Sequence, residues 1–218
     1  MIIFAAVVKL YVESRDPAEV GACVAAKATR GVVTRASWLA EAARAGTTAE
    51  DVLRAVGGVA NGPVFVEVVA ADRDAIVREA RALAAVANNV VPTLPATDAG
   101  VDGLRALAGE RIRAALGACT NVERALAAAR AGAVHVAVSV ARATGADGKP
   151  IDGYDVVRKL VALFRTYDAT TEVVAVAIRI PTDVIDAAVA GAHAAVAPPA
   201  MVRALDAESS RTADLGRG

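Results

Sequence analysis

The feature that most constrains this chain is an alternation. Short valine-rich runs take turns with longer amphipathic segments of Ala, Leu, Arg and Glu. The runs are "VVKLYVE" (7–13), "GVVT" (31–34), "PVFVEVVA" (63–70), "NVVPTL" (89–94), "RIRAAL" (111–116), "VHVAVSV" (134–140), "EVVAVAI" (172–178) and "AHAAVA" (192–197). Most are continuously apolar, the pattern of parallel strands covered on both faces. The segments between them carry helix signals. "DPAEV" places Asp16 as N-cap with Pro17 at the first helical position. "TNVERALAAARAGA" is expected to open at a Thr120 cap and stop at Gly132. "GYDVVRKLVALFRTYD" and "TDVIDAAVAGA" follow the same grammar. About eight βα units in 218 residues predict an α/β fold, a single (β/α)8 TIM barrel over residues 1–218. Residues 1–8 read as an apolar N-terminal extension and 207–218 as a short C-terminal tail. The rival, a doubly wound open sheet, usually carries a glycine-rich loop after its first strand; here that turn is "VESRDPAEV", with no glycine.

Composition narrows the function. The chain is 56% hydrophobic but 3% aromatic, so Ala, Val, Leu and Ile must build the core. Basic and acidic residues balance at 24 each, which argues against nucleic acid and against a membrane surface as partners. No apolar run reaches the ~18 residues of a membrane helix. "MIIFAAVV" lacks the basic flank and cleavage site of a signal peptide. Cys23 and Cys119 form no CxxC or metal spacing and read as small buried thiols of a cytoplasmic protein. No metal or cofactor is expected. His135 and His193 read as core or rim residues, and Trp38, Phe65, Phe164 and Tyr167 as packing residues. The only long polar loop is "RATGADGKPIDG".

Barrel active sites lie at the C-terminal ends of the strands. Those ends supply Glu13, Thr34, Arg35, Glu67, Thr93, Ser139, Arg142 and Arg179. Arginines converging on one mouth point to an anionic ligand, most simply a phosphate. Pro92 and Pro95 stiffen the backbone around Thr93, which holds a poor acid and weak nucleophile in a privileged place.

The motif order is similar to the small transaldolases and the fructose-6-phosphate aldolase group. The resemblance runs from "KLYVESRD" to "AAVAPPAMV" and rests on "LYVES", "GVVTRAS", "VVPTLPATDAG", "RALAAARAGA", "VSVAR", "VAIRIP" and "AGAHAAVAPPA". It implies that Thr93 stands where the family has the lysine that forms a Schiff base with the substrate carbonyl. The chain has four lysines, Lys9, Lys27, Lys149 and Lys159, and none replaces it. By the same resemblance Glu13 stands for the acid/base aspartate, Arg35 for an asparagine and Ala36 for the proline after it. Glu67 stands for a glutamine beside a catalytic water, Thr120 for an aromatic serving that water, and Ala177 for a serine. Arg142 and Arg179 match arginines associated with the substrate phosphate.

Two readings follow. In the first, the chain binds a phosphorylated sugar or related anion through Arg35, Arg142 and Arg179. If it is an enzyme, Glu13 and Glu67 do acid/base work of the isomerase, epimerase or lyase type, without a Schiff base. In the second, it is a non-catalytic scaffold, natural or engineered. The helix "PAEVGACVAAKATRG" carries Gly21, Ala22, Ala25 and Ala28 where a barrel helix usually has charges. With residues 2–8 this face, within residues 17–28, is the expected contact of a homo-oligomer or other assembly. A mouth closed by an Arg35–Glu67 pair would favour the scaffold.

Overall fold

The structure, a computed structural model, describes residues 8–141, 143–145, 148 and 150–215, with the side chains of its last helix described to residue 207. Eight parallel strands close into one barrel. In chain order these are β1 (Lys9–Glu13), β2 (Val32–Thr34), β3 (Val64–Glu67), β4 (Val90–Leu94), β5 (Ala115–Cys119), β6 (His135–Ser139), β9 (Glu172–Val176) and β10 (Ala194–Ala197). Each pairs with its neighbours in sequence, and β1 closes the ring by pairing with both β2 and β10. A two-stranded antiparallel sheet, β7 (Ala143–Thr144) with β8 (Pro150–Ile151), stands apart inside the segment that the sequence reads as a plain polar loop.

The strands read as continuously apolar because both faces are buried. Val12, Val32, Val64, Val66, Leu94, Leu116, Val136 and Val138 belong to the layer under the helices. Tyr11, Phe65, Val91, Ala115, Val174, Ala194 and Val196 pack as a separate cluster, on the barrel axis by strand alternation. Most helices start where short polar side chains can accept from free N–H groups. Asp16 accepts from the Ala18 N–H ahead of α1 (Pro17–Ala25), at 2.8 Å. Asp72 accepts from the Ala75 N–H ahead of α4 (Arg73–Ala84). Two helices, α2 (Ala36–Arg44) and α3 (Ala49–Val59), follow β2 instead of one. The rest are α5 (Asp98–Gly109), α6 (Val122–Arg130), α7 (Gly153–Thr166), α8 (Pro181–Val189) and α9 (Pro199–Leu215).

Several expectations need correction. The fifth strand is Ala115–Cys119, four residues beyond the start expected at 111. Asn121, not Thr120, caps α6, its side chain accepting from the Arg124 N–H at 2.7 Å. Residues 207–215 are not a tail but the continuation of α9, since no Gly or Pro interrupts them before Gly216. Val8 and Ala28, expected on the exposed assembly face, are buried in the core, whereas Ala22 and Ala25 are exposed. The remainder of that face, residues 2–7, lies outside the described residues. Tyr167 is 75% exposed rather than packed, because it sits at the C-cap of α7. Among the described residues no helix is long and apolar enough to cross a membrane.

Candidate active site

The C-terminal ends of the strands frame an open cavity of about 450 Å³. Glu13 ends β1, Arg35 follows β2, Glu67 ends β3 and Thr93 is the penultimate residue of β4; all four line it. The opposite wall is small and apolar, from Gly117, Ala118, Ala137, Val176, Ala177 and Ile178.

The ladder explains how the polar wall is assembled. Glu13 pairs with Val33, Glu67 with Thr93, and Thr93 with Ala115. Pro92 has no N–H, and it lies just before the ladder to β5 begins at Thr93, where a missing donor breaks no bond. After β4 the chain is held by the α5 cap. Thr97 accepts from the Gly100 N–H at 3.1 Å, and the Pro95 carbonyl accepts from the Thr97 N–H at 2.8 Å.

Arg35 does not close the mouth against Glu67. Its Nε donates to Glu13 Oε1 at 2.7 Å, a charge-assisted bond that raises the guanidinium pKa further. Its Cζ lies 5.3 Å from the Trp38 ring centroid, within cation–π range. Glu67 has a different partner: Oε2 accepts from the Ala36 N–H at 3.1 Å. Arg35 occupies the N-cap of α2 and offers no side-chain acceptor, so Glu67 caps that helix from the neighbouring strand. Each carboxylate is therefore anchored through one oxygen by a partner on the segment after β2.

Arg179 is exposed and does not line the cavity. The chain turns at Ala177, whose φ of 65° is left-handed, and Asp183 Oδ2 accepts from the Arg179 and Ile180 N–H groups at 2.7 and 3.0 Å. That places Arg179 at the rim, on the β9 side. Arg142 and Lys149 lie outside the described residues. Thr120 follows β5 but does not line the cavity, and Ser139, the last residue of β6, does not line it either.

The other lysines sit away from the mouth. Lys9 opens β1 at the far end of the barrel and pairs with Glu172; Lys159 lies on α7, 2.7 Å from Asp155; Lys27 follows α1 and is exposed. The far end also holds His135, buried, with Nε2 3.0 Å from Glu172 Oε2 and 3.3 Å from the Tyr11 hydroxyl. A carboxylate only accepts, so Nε2 carries a proton toward Glu172, while Nδ1 is buried without a partner. Sequence reasoning missed this network because its members belong to three strands distant in sequence. His193 is structural as well, its Nδ1 accepting from the Val173 N–H at 3.0 Å. Cys23 and Cys119 are free and buried.

The protein is thus of the closed parallel barrel class, with a cavity at the strand C-termini that is polar on one wall and apolar on the other. The sequence model described as Transaldolase/Fructose-6-phosphate aldolase matches residues 22–215. A "Probable transaldolase" of Sorangium cellulosum is 37% identical over 197 residues, covering 90% of this chain and 88% of its own length. Proteins with the same description from Rhodospirillum centenum (36% identical, 90% of this chain, 83% of the relative) and Hyphomonas neptunium (34%, 90% and 88%) are also similar. The chain belongs to the transaldolase/fructose-6-phosphate aldolase family.

Proposed function

We propose that this transaldolase-family barrel has lost Schiff-base chemistry and binds a phosphorylated sugar or related anion at its mouth. The observation that carries the reading is Thr93, which lines the cavity from β4 and which the motif resemblance sets at the position of the family lysine. A hydroxyl has no nitrogen with which to form an imine. Among the described residues, no lysine lines the cavity.

Phosphate binding draws on arginine chemistry. Arg35 uses Nε for Glu13, leaving its two Nη groups to face an anion from the cavity wall. Arg179 at the rim and Arg142, the residue of the "VSVAR" motif, are assigned to the phosphate end. Among the described residues, Glu13 and Glu67 each keep one oxygen without a hydrogen-bond partner, and these oxygens are the groups assigned to acid/base work on a bound polyol.

Calorimetric titration with fructose 6-phosphate tests the anion assignment. Binding without turnover is expected, with affinity lowered roughly tenfold or more in Arg179→Ala, the scale of one lost charge-assisted hydrogen bond. Equal affinity for fructose and fructose 6-phosphate would remove the phosphate from the reading.

A further inference from the structure

The cavity does not end at Thr93. Beneath it lies a second space of about 50 Å³ on the barrel axis. The two share Val33, Phe65, Thr93, Ala137, Val176 and Val196, so the lower space directly adjoins the upper. The lower chamber reaches down to Tyr11, Ala115, His135 and Val174, and its walls present only apolar surface. Tyr11 Oη and His135 Nε2 are engaged with each other and with Glu172, and although His135 Nδ1 has no partner it is not exposed on the chamber wall. A wall that exposes only carbon offers water no hydrogen bonds, and spaces of this kind accept apolar groups instead. The space exists because Ala115 and Ala137 line it where bulkier branched side chains would normally fill the layers.

We infer that the site takes an amphipathic ligand. Its polar head is held at the mouth by the Glu13–Arg35 side, and a short aliphatic arm descends past Thr93 into the chamber. The inference rests on the mouth being a ligand site, and it adds the chemical class of that ligand: an anion bearing an unbranched carbon arm rather than hydroxyls along its whole length. Ala115 and Ala137 set the depth of the chamber and thus the length of arm accepted.

The test is a chain-length series with two heads, the n-alkyl phosphates from methyl to hexyl and the matching n-alkanols, titrated calorimetrically. Each buried methylene contributes about fourfold in affinity, from ~0.8 kcal/mol per CH₂. Affinity is expected to climb by about that factor per carbon over the first few members, then level off once the chamber is full. Ala115→Val adds two methyl groups to the chamber without touching the mouth; it should flatten the slope, keep the affinity for methyl phosphate, and leave the melting temperature unchanged or raised. A chain-length slope in both series, with phosphates no tighter than alkanols, supports the chamber and removes the anionic head. Phosphates binding tighter than alkanols with no dependence on length overturn the chamber and leave the anion reading standing. A slope in wild type that Ala115→Val does not alter also overturns the chamber.

Discussion

Gly100→Ala is expected to melt roughly 4–8 °C below wild type, a net cost of about 2 kcal/mol at the upper end of overpacking in a chain of 218 residues, although alanine is the better helix former. A Cβ at Gly100 would stand 2.0 Å from the Pro95 carbonyl oxygen, an impossible approach. That oxygen cannot simply retreat, because it accepts from the Thr97 N–H and belongs to the loop that joins β4 to α5. Overpacking of this kind costs about 1–3 kcal/mol, occasionally more, and the gain in helix propensity offsets about 1 kcal/mol of it. The displaced segment follows Thr93 and Leu94 directly, so ligand affinity at the mouth should fall as well. Gly58→Ala is the matched control. It lies in α3 with nothing within 4 Å of the added Cβ, and should stabilise by about 0.5–1 kcal/mol. Equal melting temperatures for Gly100→Ala and wild type would show that the α5 entrance does not hold the β4 loop as described.

The second large effect lies at the opposite end of the barrel. The hydrogen bond from His135, and then Lys9, hold the Glu172 carboxyl down at about 2, against the opposing effect of burial. Burial, with the Glu172 carboxylate beside it, pushes the Tyr11 phenol up, so Tyr11 stays a neutral partner in the network. A carboxyl with a depressed folded-state pKa adds stability that is fully present above its unfolded value of about 4.5. That contribution is lost as pH falls from there toward about 2. With the side chain 26% exposed, it amounts to roughly 2–3 kcal/mol. Glu172→Gln should therefore lose about that much stability at pH 7, and the gap to wild type should narrow steadily below pH 5, closing only as pH approaches about 2. Denaturant unfolding at pH 7, 5 and 3 measures it. A gap that stays constant with pH would assign the loss to packing rather than charge.

The barrel was legible because its cause is local. Parallel strands buried on both faces need continuous apolar runs, and seven of the eight runs lie where strands form. The fifth misled because the true strand, "ALGAC", contains Ala, Gly and Cys. These carry little strand signal, and its register to β6 shifts between Leu116 and Cys119. The mouth was legible as a set of strand ends but not as a set of contacts. Whether Arg35 meets Glu13 or Glu67 depends on strand register and on the opening of α2, where Glu67 caps the helix that Arg35 cannot. Arg179 stands at the rim because of a left-handed turn at Ala177, a residue whose type does not announce such a conformation. The C-terminal tail was misread because a polar, serine-bearing segment can still extend a helix already anchored by Val202 and Leu205 in the core.

The central claim, that Thr93 has removed covalent chemistry from a transaldolase-family site, is tested most directly by trapping. The protein is incubated with dihydroxyacetone or fructose 6-phosphate, reduced with borohydride, and weighed intact by mass spectrometry. The mass should be unchanged with either substrate. Thr93→Lys alone should restore at most partial trapping, because by the same motif resemblance Arg35 and Ala177 also replace family residues. A stoichiometric adduct on any lysine of the wild-type chain, Lys149 included, would contradict the account.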